Sequence, residues 1–159
     1  MLIMHLRRLG FSVELDDSMV QPTDEACGAV SALAAARLSE SDWRTADVSL
    51  AAHPNIISNA VVSWLDLGLR AGDACPPLNA DQVEEIFYFF LAVRRPSRAW
   101  TGRNGAPFSV LPFDKLWTLV EDDSRRMDDT DPFVRVCVCN TEVSGMPGSH
   151  WFVVAYGID

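Results

Sequence analysis

The hydrophobic period turns from helical to β-type late in this chain, and that change constrains the fold more than any other feature. From Val30 to Glu121 the apolar runs recur mainly at helical spacing. From Phe133 onward they form two β-type runs, Phe133-Val134-Arg135-Val136-Cys137-Val138-Cys139 and Trp151-Phe152-Val153-Val154-Ala155-Tyr156. The stretch between them, Asn140 to Ser149, holds two glycines and a proline and reads as a hairpin loop. Helices first and a sheet last predict an α+β fold, a helical half packed on a small antiparallel sheet. With 159 residues, 48% hydrophobic and 22% charged, the chain has the size and composition of one domain with one core. It is read as a single domain over residues 1–159.

The helices have recognisable starts. Pro22 closes off what precedes it, and Thr23 or Asp24 caps a helix whose apolar stripe is Val30, Leu33, Ala34 and Leu38. A second helix is expected from Pro54 to Leu69, with His53 at its start and Gly68 or Gly72 ending it. A third begins at Asn79, where Gln82 completes a capping box, and carries Val83, Ile86, Phe87 and Phe90. Asp114 to Glu121 reads as a short helix. The segment Arg94 to Pro112 is rich in Arg, Gly, Pro and Ser and reads as a long loop. Phe11 to Leu15 alternates like a short strand, and His5 falls in an N-terminus expected to fray.

A formal net charge of −9 and a pI near 4.7 argue against nonspecific nucleic-acid binding and against an anionic membrane surface. No run of apolar residues is long enough to span a bilayer, and Met1 to Leu15 is too interrupted for a secretory segment. The four cysteines, Cys27, Cys75, Cys137 and Cys139, lack the spacing of a disulfide framework, so a reducing compartment is expected.

Two residues carry the chemistry. Cys27, in Gln21-Pro22-Thr23-Asp24-Glu25-Ala26-Cys27-Gly28, falls at a helix start, where the helix dipole favours thiolate. His150, in Gly148-Ser149-His150-Trp151, stands at the mouth of the last strand. Gln21 has the spacing to turn its amide toward an oxyanion beside Cys27, and Gly28 is expected to leave room there for a substrate backbone. Nucleophile, base and oxyanion donor make a thiol hydrolase. Other residues weigh less. Cys137 and Cys139 share a strand face but have no second close pair to complete a zinc site, so they read as ordinary strand cysteines. The acidic clusters Asp16-Asp17, Glu121-Asp122-Asp123 and Asp128-Asp129 with Asp131 read as solvated loops.

The order of glutamine, cysteine on a helix and histidine on a late strand resembles the papain-like cysteine peptidases. Gln21, Cys27 and His150 match that group's oxyanion glutamine, nucleophile and base. Within it the chain is most similar locally to the Josephin-type deubiquitinases, through Cys139-Asn140, a loop, and His150-Trp151-Phe152-Val153-Val154. Ile57-Ser58-Asn59-Ala60 ahead of a tryptophan also resembles a Josephin helix. The resemblance implies a papain-like fold, no cofactor, and cleavage of peptide or isopeptide bonds in ubiquitin or ubiquitin-like conjugates. It implies a protein substrate as partner, and a cytoplasm, the producing cell's own or a host's, as the place of action. A self-processing or effector protease, and a protein-binding module that has lost catalysis, remain open beside it. Such enzymes orient their histidine with an Asp or Asn on a following strand. Here Asp159, nine residues past His150, fills that role if the chain turns back after Gly157; otherwise it falls to Asn140 or to a following segment absent from this chain.

Overall fold

The computed structural model describes residues 2–11, 13, 26–40, 48–49, 53–65, 67–70, 73, 75–90, 108–125, 133–141 and 150–158. In chain order the elements are α1 (Leu2–Arg8), α2 (Cys27–Glu40), α3 (Pro54–Asn59), α4 (Ala80–Phe90), β1 (Phe108–Pro112), α5 (Phe113–Ser124), β2 (Phe133–Asn140) and β3 (Trp151–Ile158). The class is α+β, as the change of period requires.

The sheet corrects the expected layout. Its order is β1-β2-β3; β2 and β3 are antiparallel, but β1 lies parallel to β2, with Phe108 opposite Val136 and Pro112 opposite Asn140. The sheet is therefore mixed, not antiparallel, and part of the expected Arg94–Pro112 loop is a strand. β1 is five residues long and ends on a proline, so it carries almost no periodic signal of its own. Pairing with a strand 28 positions away holds it instead, and the outer edge of the sheet tolerates its proline. A parallel pair needs a crossover, which the segment containing α5 supplies.

Helices cover both faces of this sheet. Along β2, Val136 and Val138 join a core with α2, α3 and α4, while Cys137 and Cys139 join a second core with Leu6 of α1 and with Leu116 and Val120 of α5. β3 alternates in the same way: Trp151, Val153 and Ala155 face the first core, Phe152, Val154 and Tyr156 the second. A crossover helix packs back on the sheet, so a strand next to a parallel neighbour is buried on both sides.

α2 is buried nearly all round. Ala29, Ala32, Leu33, Ala34, Ala35 and Ala36 are each fully buried, and the helix packs on α4 and on both β2 and β3. α3 starts as expected: His53 Nδ1 accepts the Asn55 N–H at 3.2 Å, with Pro54 in the first turn. It ends sooner than expected, widening into a π turn over Ala60–Trp64 before Leu65 becomes extended and buries itself. At α4 the capping box closes in both directions, Asn79 N–H to Gln82 Oε1 and Gln82 N–H to Asn79 Oδ1, each 2.9 Å.

The N-terminus is a helix, not a fray. Leu6 is buried, and the His5 ring stacks on Trp117 of α5 at 3.9 Å between centroids, with Nε2 3.4 Å from Glu121. Seven residues are too few to hold a helix alone; docking on α5 holds it. The strand expected over Phe11–Leu15 is not seen at the described residues: Phe11 and Val13 lie outside any strand, and Phe11 packs edge-on against Tyr156.

Candidate functional site

Cys27 is the first residue of α2, and the start of β3 lies against it. The Trp151 backbone N–H donates to the Cys27 sulfur at 3.4 Å, and the thiol is 5% exposed. His150 is the residue before Trp151. It is exposed, and backbone contacts anchor it at the hairpin mouth: its carbonyl accepts the Thr141 N–H at 3.0 Å and its N–H reaches Thr141 Oγ1 at 3.4 Å. The fold thus brings Cys27 against the backbone of the residue that follows His150, 124 positions along the chain. Among the described residues the sulfur's hydrogen bond is to the Trp151 N–H, not to the imidazole.

Gly28 has a different part from the one expected. A Cβ there would meet both Leu78 Cβ and Trp151 Cδ1 at 3.2 Å, so the space beside the thiol is already filled. Gly28 permits the start of α2 to press against β3 and the segment before α4, rather than opening a slot for substrate. The Trp151 indole closes that contact, donating from Nε1 to the Leu78 carbonyl at 2.9 Å.

Of the other expected site residues, Gln21 lies outside the described residues, and so does Asp159. Gly157 and Ile158 continue β3, paired with Val134 and Phe133, so the chain does not turn back after Gly157. Eight steps of strand carry Ile158 roughly 25 Å away from His150. The turn after Gly157 on which the Asp159 reading depended is not seen at Ile158, the last described residue. Asn140 stands closer: it ends β2 directly opposite Trp151, half-buried, and the pleat gives it the same sheet face as Trp151.

The remaining thiols have different surroundings. Burial pushes the Cys137 thiol up to about 12, with the Arg135 charge opposing and the Asp123 charge assisting. Burial raises Cys139 further, and the neighbouring Cys137 adds to it. Both pack in the second core, as ordinary strand cysteines do. Cys75 is half-buried, its sulfur 3.5 Å from the Pro76 carbonyl. Among the described residues no three His, Cys, Asp or Glu side chains group as a metal would require. No described helix is long and apolar enough to cross a membrane.

A second polar centre lies on the opposite face of the sheet. Asp123, read from sequence as part of a solvated acidic loop, is 2% exposed on the last turn of α5. Arg135 of β2 grips it with Nε and with Nη2, the latter at 2.8 Å, and the Tyr156 hydroxyl of β3 donates to Oδ2 at 2.6 Å. Burial acts against the Arg135 charge, but the hydrogen bond and charge of Asp123 outweigh it and hold its pKa above the ordinary value. Burial, then the bond to Asp123, keeps Tyr156 protonated well past the usual phenol range. Two signals for this centre are present in the sequence. Arg135 interrupts an apolar strand and needs a carboxylate there, and Asp123 continues the buried helical stripe of Leu116 and Val120.

Comparison with known proteins finds no matching family model, no matching curated protein and no matching solved structure.

Proposed function

We propose that this chain is a thiol hydrolase of the papain-like type, cleaving peptide or isopeptide bonds, with ubiquitin or ubiquitin-like conjugates as its substrate class. The observation that carries the reading is the meeting of Cys27 and the start of β3. The first residue of a buried helix holds its sulfur 3.4 Å from the backbone nitrogen of the residue after His150. A helix N-terminus and a backbone N–H both favour thiolate. In the reaction, His150 takes the Cys27 proton and the thiolate attacks the scissile carbonyl. As the tetrahedral intermediate collapses, the C–N bond breaks and the imidazolium protonates the leaving amine. Water then attacks the thioester, His150 accepts its proton, and the Cys27 thiolate leaves, releasing a carboxylate product. Gln21 and the Cys27 backbone N–H are the proposed oxyanion donors.

The test is a ubiquitin bearing a C-terminal electrophile, used beside a small thiol-reactive probe on the full chain. The expected result is a covalent adduct at Cys27 that Cys27→Ala and His150→Ala both abolish. Absence of an adduct with either reagent overturns the reading. One observation favours a second reading, a protein-binding module of the same fold: the thiol is buried and bonded to a main-chain N–H rather than to the imidazole. That module would bind the conjugate without reacting with its electrophile.

A further inference from the structure

The Trp151 N–H points where the antiparallel ladder says it should. Thr141 N–H bonds to the His150 carbonyl, which makes 141 and 150 a hydrogen-bonded pair. In such a ladder the next pair, Asn140 and Trp151, turns its N–H groups away from one another. The Trp151 N–H therefore faces the outer edge of β3, where the carbonyl of a further strand would satisfy it. The Cys27 sulfur occupies that position instead. A buried backbone N–H needs a partner, and here the sulfur is one.

What fixes the N–H on the sulfur is a closed circuit of three elements. The Asn79–Gln82 box anchors the start of α4, and Leu78 immediately precedes it. The Leu78 carbonyl holds the Trp151 indole, the Leu78 Cβ bears on Gly28, and Gly28 is bonded to Cys27. The indole ring closes the circuit on Gly28 from the β3 side. A buried tryptophan must find a partner for its indole N–H, and this one finds it on the segment that also bounds the start of α2.

We propose that Trp151 is the positioning residue of the Cys27 site: anchored by Leu78 and Gly28, it fixes its own backbone N–H against the sulfur, so that the thiolate has a donor from β3 as well as from α2. The inference rests on the proposed role of Cys27 as nucleophile. The side chain touches neither substrate nor reacting atom; it acts through its own main chain. Trp151→Phe keeps a ring over Gly28 but releases Leu78. Gly28→Ala keeps the indole but forces a methyl into the 3.2 Å contacts. Val153→Ala removes packing from the same face of β3 without touching the circuit.

The experiment follows iodoacetamide alkylation of Cys27 against pH in the full chain, read by mass spectrometry, with thermal melting alongside. The midpoint in pH is the readout, because a purely structural role changes the absolute rate through opening but leaves the midpoint in place. Trp151→Phe and Gly28→Ala should each raise the midpoint, with the rate below the midpoint lowered about tenfold. Val153→Ala should leave it unmoved. An unmoved midpoint in folded Trp151→Phe overturns the proposal. If that variant does not fold, an unmoved midpoint in Gly28→Ala overturns it. An equal shift in Val153→Ala also overturns it, since general loosening then explains the effect. A shifted midpoint in a protein that never turns over a conjugate keeps this inference and removes the peptidase reading. Turnover with an unmoved midpoint does the reverse.

Discussion

The two ends of the β2–β3 hairpin are built on opposite principles. At one end Arg135 and Tyr156, directly paired across the strands, both donate to the buried carboxylate of Asp123 from α5. At the other, five register positions along β2, Asn140 faces Trp151, whose N–H meets the Cys27 sulfur. The first end is a charge-assisted, bidentate grip with a second donor, the strongest kind of hydrogen bonding a protein makes. The second is a lone N–H on a thiol, a soft and weak acceptor. A one-residue slip of the hairpin would turn every side chain to the wrong face, so register must be held firmly somewhere. The Asp123 end holds it, roughly 17 Å from the thiol. That leaves the Cys27 end free to keep a weak contact, as the proposed chemistry would need.

The largest expected effects lie at the Cys27 end. Cys27→Ala and His150→Ala should each lower turnover of a ubiquitin conjugate by on the order of 10⁴-fold or more while leaving the melting temperature nearly unchanged. Kinetic and melting measurements on the pair check this; a large loss of stability in either would mean the two ends share the structural load. Asp123→Ala should show the opposite pattern. It strands a largely buried guanidinium and should cost about 3–5 kcal/mol in denaturant unfolding, without moving the pH midpoint of Cys27 alkylation.

Alkaline pH should weaken the second core specifically. The folded state holds Cys137 near 12 against an ordinary 9.0, and raises Tyr156 above its ordinary 10.0. Both groups favour the protonated form when folded, so their contribution is complete below pH 9 and falls as pH climbs toward 12. The slope is about 1.4 kcal/mol per pH unit for each titrating group, read from urea unfolding across that range. Cys137→Ala should remove one group's share of it, leaving those of Cys139 and Tyr156. The smallest effect expected is Tyr156→Phe, about 1.5–3 kcal/mol for one bond to a charged acceptor, since Arg135 still satisfies Asp123. A loss as large as that of Asp123→Ala would show Tyr156, not Arg135, to be the main partner.

What could be read from residues alone was what neighbours in sequence decide. The Asn79–Gln82 box, the His53 cap and the β2 and β3 runs all depend on contacts within a few positions, and each stands where its residues put it; the cap read at Thr23 or Asp24 lies outside the described residues. Distant partners decided the rest. β1 exists because β2 pairs with it, α1 because Trp117 and the second core receive it, and Asp123 is buried because Arg135 lies across from it. At the site, the pairing of Cys27 with the His150 end of the chain was legible from residue type and setting. The contact residue was not, because a backbone N–H leaves no trace in the letter that carries it. Gly28 was noticed for the right reason, close approach, but assigned the wrong visitor.

Cys27 and the N–H that meets it are 124 residues apart in sequence. A chain made from its N-terminus at roughly 5–20 residues per second carries this cysteine for on the order of ten seconds before β3 exists. Through that interval the residue is a common thiol beside an incomplete core, with neither the strand donor nor the histidine near it. Contacts of such long separation form late, after the local helices. The contact between sulfur and N–H is therefore one the chain acquires on completion: the event that closes the hairpin over α2 also brings the strand donor to the thiol. Under the proposed reading, anything that lifts β3 away disarms Cys27, and its chemistry reports whether the chain has finished folding.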